Sequence, residues 1–169
     1  MCPAYNTWKS MLTRCYGAKR HETHPTYKGV TVCDEWLTFS NFRKWWIDNH
    51  KDDWQLDKDL LVAGNKVYSP ETCIYVPRWL NSLTISSGAR RGKYKIGVNW
   101  NKAGQIFYAW GSAPKTRERE YLGRFHDETS AYNAWLTRKL EIALELKLEM
   151  DEIDLRIYPN VVKIIKNIT

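Results

Sequence analysis

Hydrophobic residues recur with two different periods along this 169-residue chain. Near the N-terminus they return every three or four positions, which predicts an amphipathic helix over residues 5–16 and a second helix over residues 35–50. Between these helices, residues 17–29 contain glycine and proline and are predicted to form a loop, and residues 30–33 a short strand. One face of the second helix is aromatic, which is typical of a buried core, and carries Trp36, Phe39, Phe42, Trp45 and Trp46.

Short apolar runs separated by turn residues cover residues 55–81. The Gly64-Asn65 dipeptide is typical of a turn, and the run CIYV at 73–76 is typical of a strand. Pro77 then stands where proline commonly opens a helix. The pattern predicts a strand, a loop, a second strand and a helix, in that order.

Apolar and polar residues alternate in the second half of the chain, as they do in half-buried strands. The alternation predicts a sheet of three strands over residues 94–100, 105–110 and 120–125. Asp127 follows as a candidate N-cap of a long helix whose apolar face would cover the sheet. The apolar spacing within residues 150–169 fits a short helix in the tail.

Together these elements predict an α+β fold with two modules. The first module, residues 1–84, places flanking helices around the strand–strand–helix segment. The second module, residues 93–149, is predicted to be a three-stranded antiparallel sheet packed on one long helix. Residues 85–92 are the predicted linker, because the sequence there is polar and rich in serine and glycine, and residues 150–169 form a C-terminal tail.

Positive charge is concentrated in residues 90–125. This segment has nine Lys or Arg and two acidic residues, a surplus that equals the net charge of +7 of the whole chain. A local surplus indicates a binding surface for an anionic partner rather than a general solubility charge. Because aromatic residues are interspersed among these cations, the sheet is a candidate surface for nucleic acid. The alternative is a solvated basic face without a specific ligand.

The N-terminus lacks the charged and apolar regions of a signal peptide, and no apolar run approaches the roughly 20 residues of a membrane span. A cytoplasmic protein without a membrane partner is therefore expected, and reduced thiols with it. A structural Zn²⁺ is the alternative use of the cysteines, but they form no C-x-x-C pair, which favours core thiols. The four are Cys2, Cys15, Cys33 and Cys73.

The basic segment resembles the plant ethylene-response-factor, or APETALA-type, DNA-binding domain. Five features carry the resemblance: GV at 97–98, KAG at 102–104, an aromatic-plus-alanine strand with Phe107 and Ala109, YLGRF at 121–125 and ETSAYNAW at 128–135. Tyr121 stands where the family has a tryptophan, and Arg124 where it has a threonine. The resemblance implies that the sheet, rather than the helix, enters the major groove of double-stranded DNA.

This resemblance also implies which side chains face DNA. Leu122 and Phe125 would point at the helix, Gly123 would let helix and sheet approach closely, and the opposite face would offer cations and aromatic rings. Most contacts would go to phosphates, as is usual for DNA-binding proteins. The candidate contacts are Arg90, Arg91, Lys93, Lys95, Asn99, Lys102, Trp110, Lys115, Arg117 and Arg119.

The upstream segment resembles the HNH, or ββα-metal, homing endonucleases of phage type. The motifs are LDKD at 56–59, GN at 64–65, YSPETC at 68–73 and WLN at 79–81. By this resemblance Asp57 and Asn81 would bind Mg²⁺ or Mn²⁺, and Lys58 stands at the place of the histidine that activates water. These three are the candidate catalytic residues, although lysine is a poor base at neutral pH.

Two functional hypotheses follow from the resemblances. The first is a phage-type HNH homing endonuclease that binds DNA through its C-terminal module and cleaves or nicks it with metal-activated water. The alternative is a catalytically inactive DNA-binding phage protein in the host cytoplasm, acting as a regulator or as an inhibitor of a host DNA-processing or defence enzyme. A host protein would then be a further partner. A third alternative is a basic face that meets an acidic protein surface.

Overall fold

The computed structural model describes residues 2–85 and 92–168, and the chain folds as two units, residues 1–77 and 78–169. The first unit contains α1 (Pro3–Tyr16), α2 (Ala18–Thr23), β1 (Thr31–Val32), α3 (Phe39–Asn49), β2 (Gln55–Asp57), β3 (Val67–Tyr68) and β4 (Ile74–Val76), with 3₁₀ turns at Pro25–Tyr27 and Asp34–Leu37. The second contains α4 (Arg78–Thr84), β5 (Val98–Asn101), β6 (Ile106–Ser112), β7 (Arg119–Phe125), α5 (Glu128–Glu145), α6 (Lys147–Asp151) and α7 (Ile157–Lys166).

Aromatic residues form the core of the first unit. Trp36 and Phe42 are fully buried, and their rings meet edge to face with centroids 5.1 Å apart. The ring of Trp45 lies 4.7 Å from that of Trp36. Met11 of α1 and Tyr75 of β4 are buried in the same cluster. The predicted core role of this aromatic stripe is confirmed, and the apolar face of α1 joins it.

Two pairs of short strands complete the first unit. β1 runs parallel to β3, and β2 runs antiparallel to β4, with Leu56 opposite Tyr75. The predicted order of strand, loop, strand and helix over residues 55–81 is confirmed, and β3 is an additional strand within the predicted loop.

The loop predicted for residues 17–29 is wrong, because this segment contains α2 and a 3₁₀ turn. Gly17 ends α1 and at once begins α2: its N–H donates to the carbonyl of Thr13, and its own carbonyl accepts from the N–H of His21. A Cβ at Gly17 would lie 2.5 Å from the Thr13 carbonyl oxygen. The glycine therefore marks a bend between two helices rather than a loop, and the residues that follow it have good helix propensity.

The second unit is an antiparallel sheet in the order β5–β6–β7, packed against α5. Val98 and Ala109 of the sheet are buried with Ala131 and Trp135 of the helix. Asp127 caps α5 as predicted, because its Oδ1 accepts from the N–H of Ser130 at 2.8 Å. The predicted α+β class, with a three-stranded antiparallel sheet and helices, is confirmed.

The close approach of helix and sheet occurs at Gly97 rather than at Gly123. A Cβ at Gly97 would lie 2.1 Å from Cδ1 of Trp135, and the φ of Gly97 is +75°. A Cβ at Gly123 would meet the ring of Phe125, which lies on the same strand. Gly97 also explains why β5 begins at Val98 and not at residue 94, since a positive φ interrupts the extended backbone.

The C-terminal tail forms α7, as predicted. Val161 and Ile165 are fully buried, and the hydroxyl of Tyr132 donates to the carbonyl of Ile168. The helix over the sheet ends at Glu145, before the end of the predicted module at residue 149, because the backbone leaves the helical conformation at Leu146, where φ is −94° and ψ is 7°. α6 then begins as a separate short helix.

Candidate nucleic-acid interface

The register of the sheet sorts its side chains onto two faces. Residues that lie opposite each other on neighbouring strands point to the same side. Asn99, Tyr108 and Arg124 are aligned across β5, β6 and β7 and face away from the buried Val98–Ala109 pair. They form one row of the sheet surface that is turned away from α5.

A β-bulge in β7 brings further residues to this surface. Ala109 pairs with Gly123 and Trp110 with Tyr121, so Leu122 is an extra residue in β7. Gly123 has a φ of +128°, which suits glycine and allows the bulge. Because of the bulge, Tyr121 lies on the same face as Arg124 although the two are three positions apart.

Aromatic contacts hold the outward-facing side chains in place. The ring centroid of Tyr121 lies 5.1 Å from that of Trp110 and 6.0 Å from that of Tyr108. The guanidinium of Arg119 lies over the Trp110 ring at 4.5 Å from its centroid. We call this surface the open face. Its basic and aromatic residues, together with Asn99, are Tyr108, Trp110, Arg119, Tyr121 and Arg124, and the register also places Asn101, Ile106 and Ser112 on it.

The acidic residue of β7 points to the opposite side. Glu120 is paired with Gly111, and its Oε2 accepts from Nε of Arg138 on α5 at 2.7 Å. Arg138 also donates to Glu145 at 2.8 Å, and these bonds to Glu145 and Glu120 raise its pKa. The carboxylate of Glu120 is thereby kept on the helix side, and the open face carries cations without an acidic neighbour among its own residues.

The predicted DNA contacts occupy different places in the second unit. Asn99, Trp110 and Arg119 lie on the open face. Lys102 and Arg117 are exposed in the two turns that join the strands, whereas Lys93 and Lys95 are exposed just before β5. Lys115 is exposed in the β6–β7 turn as well and pairs with Glu149 at 2.5 Å. Arg90 and Arg91 lie outside the described residues.

Three residues of the open face were missed by the sequence analysis. Tyr108, Tyr121 and Arg124 are not among the predicted DNA contacts. Tyr121 and Arg124 are two positions at which this sequence differs from the family pattern. Simple alternation places Tyr121 and Arg124 on opposite faces, and only the bulge reverses that assignment. A glycine inside a strand was the one available indication of a bulge.

Asp57, the predicted metal ligand, serves the backbone of its own loop. Its Oδ1 accepts from the N–H groups of Asp59 at 2.9 Å and Leu60 at 2.8 Å. Burial, and then the nearby carboxylate of Asp59, raises the pKa of Asp57 to about 6. The carboxyl group thus shapes the turn that follows β2.

Lys58, at the predicted position of the general base, is held as a hydrogen-bond donor. Its Nζ donates to Oδ2 of Asp59 at 3.0 Å and to the carbonyl of Asn65 at 3.1 Å, and its side chain is only 11 % exposed. The Asn65 amide in turn donates to the carbonyls of Lys58 at 2.6 Å and Val67 at 2.7 Å. An ammonium group in this position has no lone pair with which to accept a proton from water. This network pins the loop between β2 and β3.

The residues present do not fit a divalent cation around Asp57. The ammonium of Lys58 neutralises the neighbouring Asp59 and would repel a metal ion there. Asn81, the other predicted ligand, lies on α4. Within residues 2–85 and 92–168, no group of three or more His, Cys, Asp or Glu side chains is arranged to hold a metal ion.

The cysteines are spread through the first unit as free thiols. Cys15 and Cys73 are buried in the aromatic core, Cys33 is half-buried and Cys2 is exposed. Burial raises the pKa of Cys15 to about 11 and raises that of Cys73 still further above its ordinary range. Thiols in this state are poor metal ligands and poor nucleophiles at neutral pH.

No protein-family model matches this sequence, and neither a curated protein nor a solved structure is significantly similar to it. In the described part of the chain, no helix is long and apolar enough to cross a membrane.

Proposed function

We propose that this protein binds double-stranded DNA through the open face of its β5–β7 sheet, and that residues 57–65 stabilise the first unit rather than catalyse phosphodiester cleavage. The observation that carries the proposal is the separation of charge across the sheet. Arg119 and Arg124 face outward beside an aromatic cluster, while Glu120 is bound to Arg138 on the helix side.

The open face has the chemistry needed to read base edges. An arginine can donate two hydrogen bonds to guanine, and an asparagine can exchange two with adenine. Asn99 and Arg124 lie in one row, on either side of Tyr108. The ring of Trp110 beneath Arg119 restricts that guanidinium, which lowers the entropy lost when it forms hydrogen bonds.

The two turns supply cations for the phosphate backbone. Lys102 lies in the β5–β6 turn and Arg117 in the β6–β7 turn, at opposite ends of the seven-residue strand β6. A strand of this length spans about 20 Å, and the major groove is about 12 Å wide. Cations at the two ends of the strand can therefore reach the phosphates on both sides of the groove while the strands lie within it.

The scaffold role of residues 57–65 follows from their hydrogen bonds. Asp57 accepts from two backbone N–H groups, and Lys58 donates to Asp59 and to the backbone of Asn65. A water-activating base needs a free lone pair, and a metal site needs carboxylates that are not already neutralised. The ammonium of Lys58 lacks the lone pair and neutralises Asp59, so we infer that the protein acts on DNA by binding, as a regulator or an inhibitor would.

Fluorescence anisotropy with a labelled 20-base-pair duplex tests this proposal. Arg124→Ala should weaken binding about tenfold, since a bidentate contact to a base contributes about 1–3 kcal/mol. Lys163→Ala is the matched control, because Lys163 is an exposed cation on α7 in the same unit. Equal affinity of wild type and Arg124→Ala, or no duplex binding at all, would contradict the proposal.

A further inference from the structure

A cleft of about 800 Å³ lies in the second unit where β6 extends beyond β5. The last bond between the two segments joins the N–H of Trp110 to the carbonyl of Gly97 at 2.8 Å. Beyond it, Gly111 and Ser112 pair with β7 on their other side and border the cleft. Trp135 of α5 lines it as well. The volume is within the range of small-molecule sites in proteins.

Four cations line this cleft, and no carboxylate is found among the described residues around it. They are Lys93, Lys95, Arg119 and Lys139. The charged group of each lies near an aromatic ring, at 5.8 Å from the ring centroid of Tyr94 for Lys93, 4.9 Å from Tyr132 for Lys95, 4.5 Å from Trp110 for Arg119 and 6.0 Å from Trp135 for Lys139. The carboxylate of Glu128 accepts from the backbone N–H of Lys95 at 2.7 Å but does not line the cleft.

Four cations without a carboxylate among the described lining residues carry an unfavourable electrostatic energy when no ligand is bound. Like charges that share a concave surface repel one another and raise the local concentration of anions. Burial lowers the pKa of Lys139 to about 8, which shows how poorly its charge is solvated. Among the described residues, none of the four cations forms an ion pair with an acidic side chain. An anionic ligand would supply the missing countercharge.

We propose that this cleft binds a nucleoside phosphate, with the phosphate against Lys93, Lys95 and Lys139 and the base against the rings of Trp110 and Trp135. Cations alone would accept any small anion, but aromatic rings beside them favour an anion that carries a flat ring. The ligand is either a free nucleotide or an unpaired nucleotide at the end of a DNA strand. The cleft shares Asn99, Trp110 and Arg119 with the open face, whereas Tyr108 and Arg124 lie outside it, so substitution of Arg124 tests duplex binding without altering the cleft.

Tryptophan fluorescence provides the first test, because Trp110 and Trp135 line the cleft. Titration with dAMP should quench the emission and give a dissociation constant at least tenfold lower than deoxyadenosine or inorganic phosphate gives alone. Lys95→Met and Lys139→Met should each weaken dAMP binding about tenfold, the effect expected for one charge-assisted hydrogen bond. Lys163→Met is the control.

Lys95 is exposed, so Lys95→Met tests the site even if Lys139→Met impairs folding. The proposal is overturned if dAMP binds no more tightly than deoxyadenosine or inorganic phosphate alone. It is also overturned if both lysine variants bind dAMP with the affinity of the wild type.

Duplexes with and without a three-nucleotide overhang distinguish the two sources of the nucleotide. If the strand end is the ligand, the overhang should improve affinity, and Lys139→Met or excess dAMP should remove only that improvement. If the free nucleotide is the ligand, blunt and overhanging duplexes should bind alike while dAMP still binds.

Arg124→Ala should weaken blunt-duplex binding and leave dAMP binding unchanged. Failure of duplex binding and failure of the cleft proposal are therefore seen separately.

Discussion

Oε2 of Glu120 lies 2.7 Å from Nε of Arg138, and this contact across β7 and α5 decides the charge of the sheet surface. Glu120 is flanked in sequence by Arg119 and Tyr121, which both point the other way. Arg138 binds Glu145 as well, so the helix holds the acid on the side of the core. Acidic and basic residues that are mixed in the sequence are thus separated in space.

Arg124 and Lys102 should have different roles in DNA binding. Arg124→Ala is expected to reduce the preference among duplex sequences, because Arg124 lies in the row that faces the bases. Lys102→Ala is expected to weaken binding to all sequences equally and to reduce the slope of log K against log salt by about 1, because Lys102 is a turn cation. Anisotropy titrations at several salt concentrations measure both. Identical effects of the two substitutions would rule out this division of roles.

Gly97→Ala should destabilise the second unit by about 2–4 kcal/mol, from a Cβ that clashes with Trp135 and from a positive φ. Gly92→Ala is the matched control, because a Cβ at Gly92 meets nothing within 4 Å. Thermal unfolding followed by circular dichroism measures the change. If the melting temperatures of the two variants fall equally, the close approach at Gly97 is not what stabilises the unit.

Deprotonation of the buried Lys139 should make the free energy of unfolding rise with pH. Its pKa is about 8 in the folded chain against an ordinary value of 10.5, so the unfolded chain binds more protons between these values. The penalty for burying the charge is complete below pH 8 and disappears as the pH approaches 10.5, a gain of up to about 3 kcal/mol.

Denaturant unfolding at pH 7.5, 9 and 10 measures this dependence for wild type and Lys139→Met. The difference between the two proteins isolates Lys139 from other groups that titrate in the same range, and Lys139→Met should be the more stable at pH 7.5. An advantage of the variant that stays constant across this range would contradict the assignment.

Asp57→Ala should lower the free energy of unfolding, and neither the wild type nor the variant should cleave DNA. The substitution leaves the N–H groups of Asp59 and Leu60 without their acceptor, at a cost of about 1–3 kcal/mol. Supercoiled plasmid incubated with Mg²⁺ or Mn²⁺ should stay intact with wild type, and duplex affinity should be the same for both proteins. Metal-dependent nicking that disappears in Asp57→Ala while the melting temperature is unchanged would instead support the endonuclease hypothesis.

The sequence predicts correctly those elements in which hydrophobic residues recur with a single period, either helical or alternating. α1 and α3 show a helical spacing, and β5 to β7 alternate, so their existence and type were correct. The α2 helix was missed because Gly17 suggested a loop, whereas the backbone uses it as a bend between two helices. A local pattern does not distinguish these two uses of glycine.

The candidate site was harder to predict because it depends on register. Asn99, Trp110 and Arg119 are candidate contacts by the family resemblance, but Arg124 is not among them, and one extra residue in β7 brings it to the same face. Lys115 is a predicted DNA contact, and its pairing with Glu149, 34 residues away in sequence, could not be predicted from the segment around it. Lys139 lies in a long helix, and its burial beside the sheet edge depends on tertiary packing. Contacts of this kind cannot be inferred from local sequence.

Amide chemical-shift mapping of the ¹⁵N-labelled protein with a DNA duplex is the decisive test of binding through the open face. We expect the largest shifts on the open face and its turns, at Asn99, Lys102, Tyr108, Tyr121 and Arg124, and no shifts in α1 and α3 of the first unit. Shifts concentrated on the first unit or on the outer surface of α5 and α7, with the open face unchanged, would contradict it.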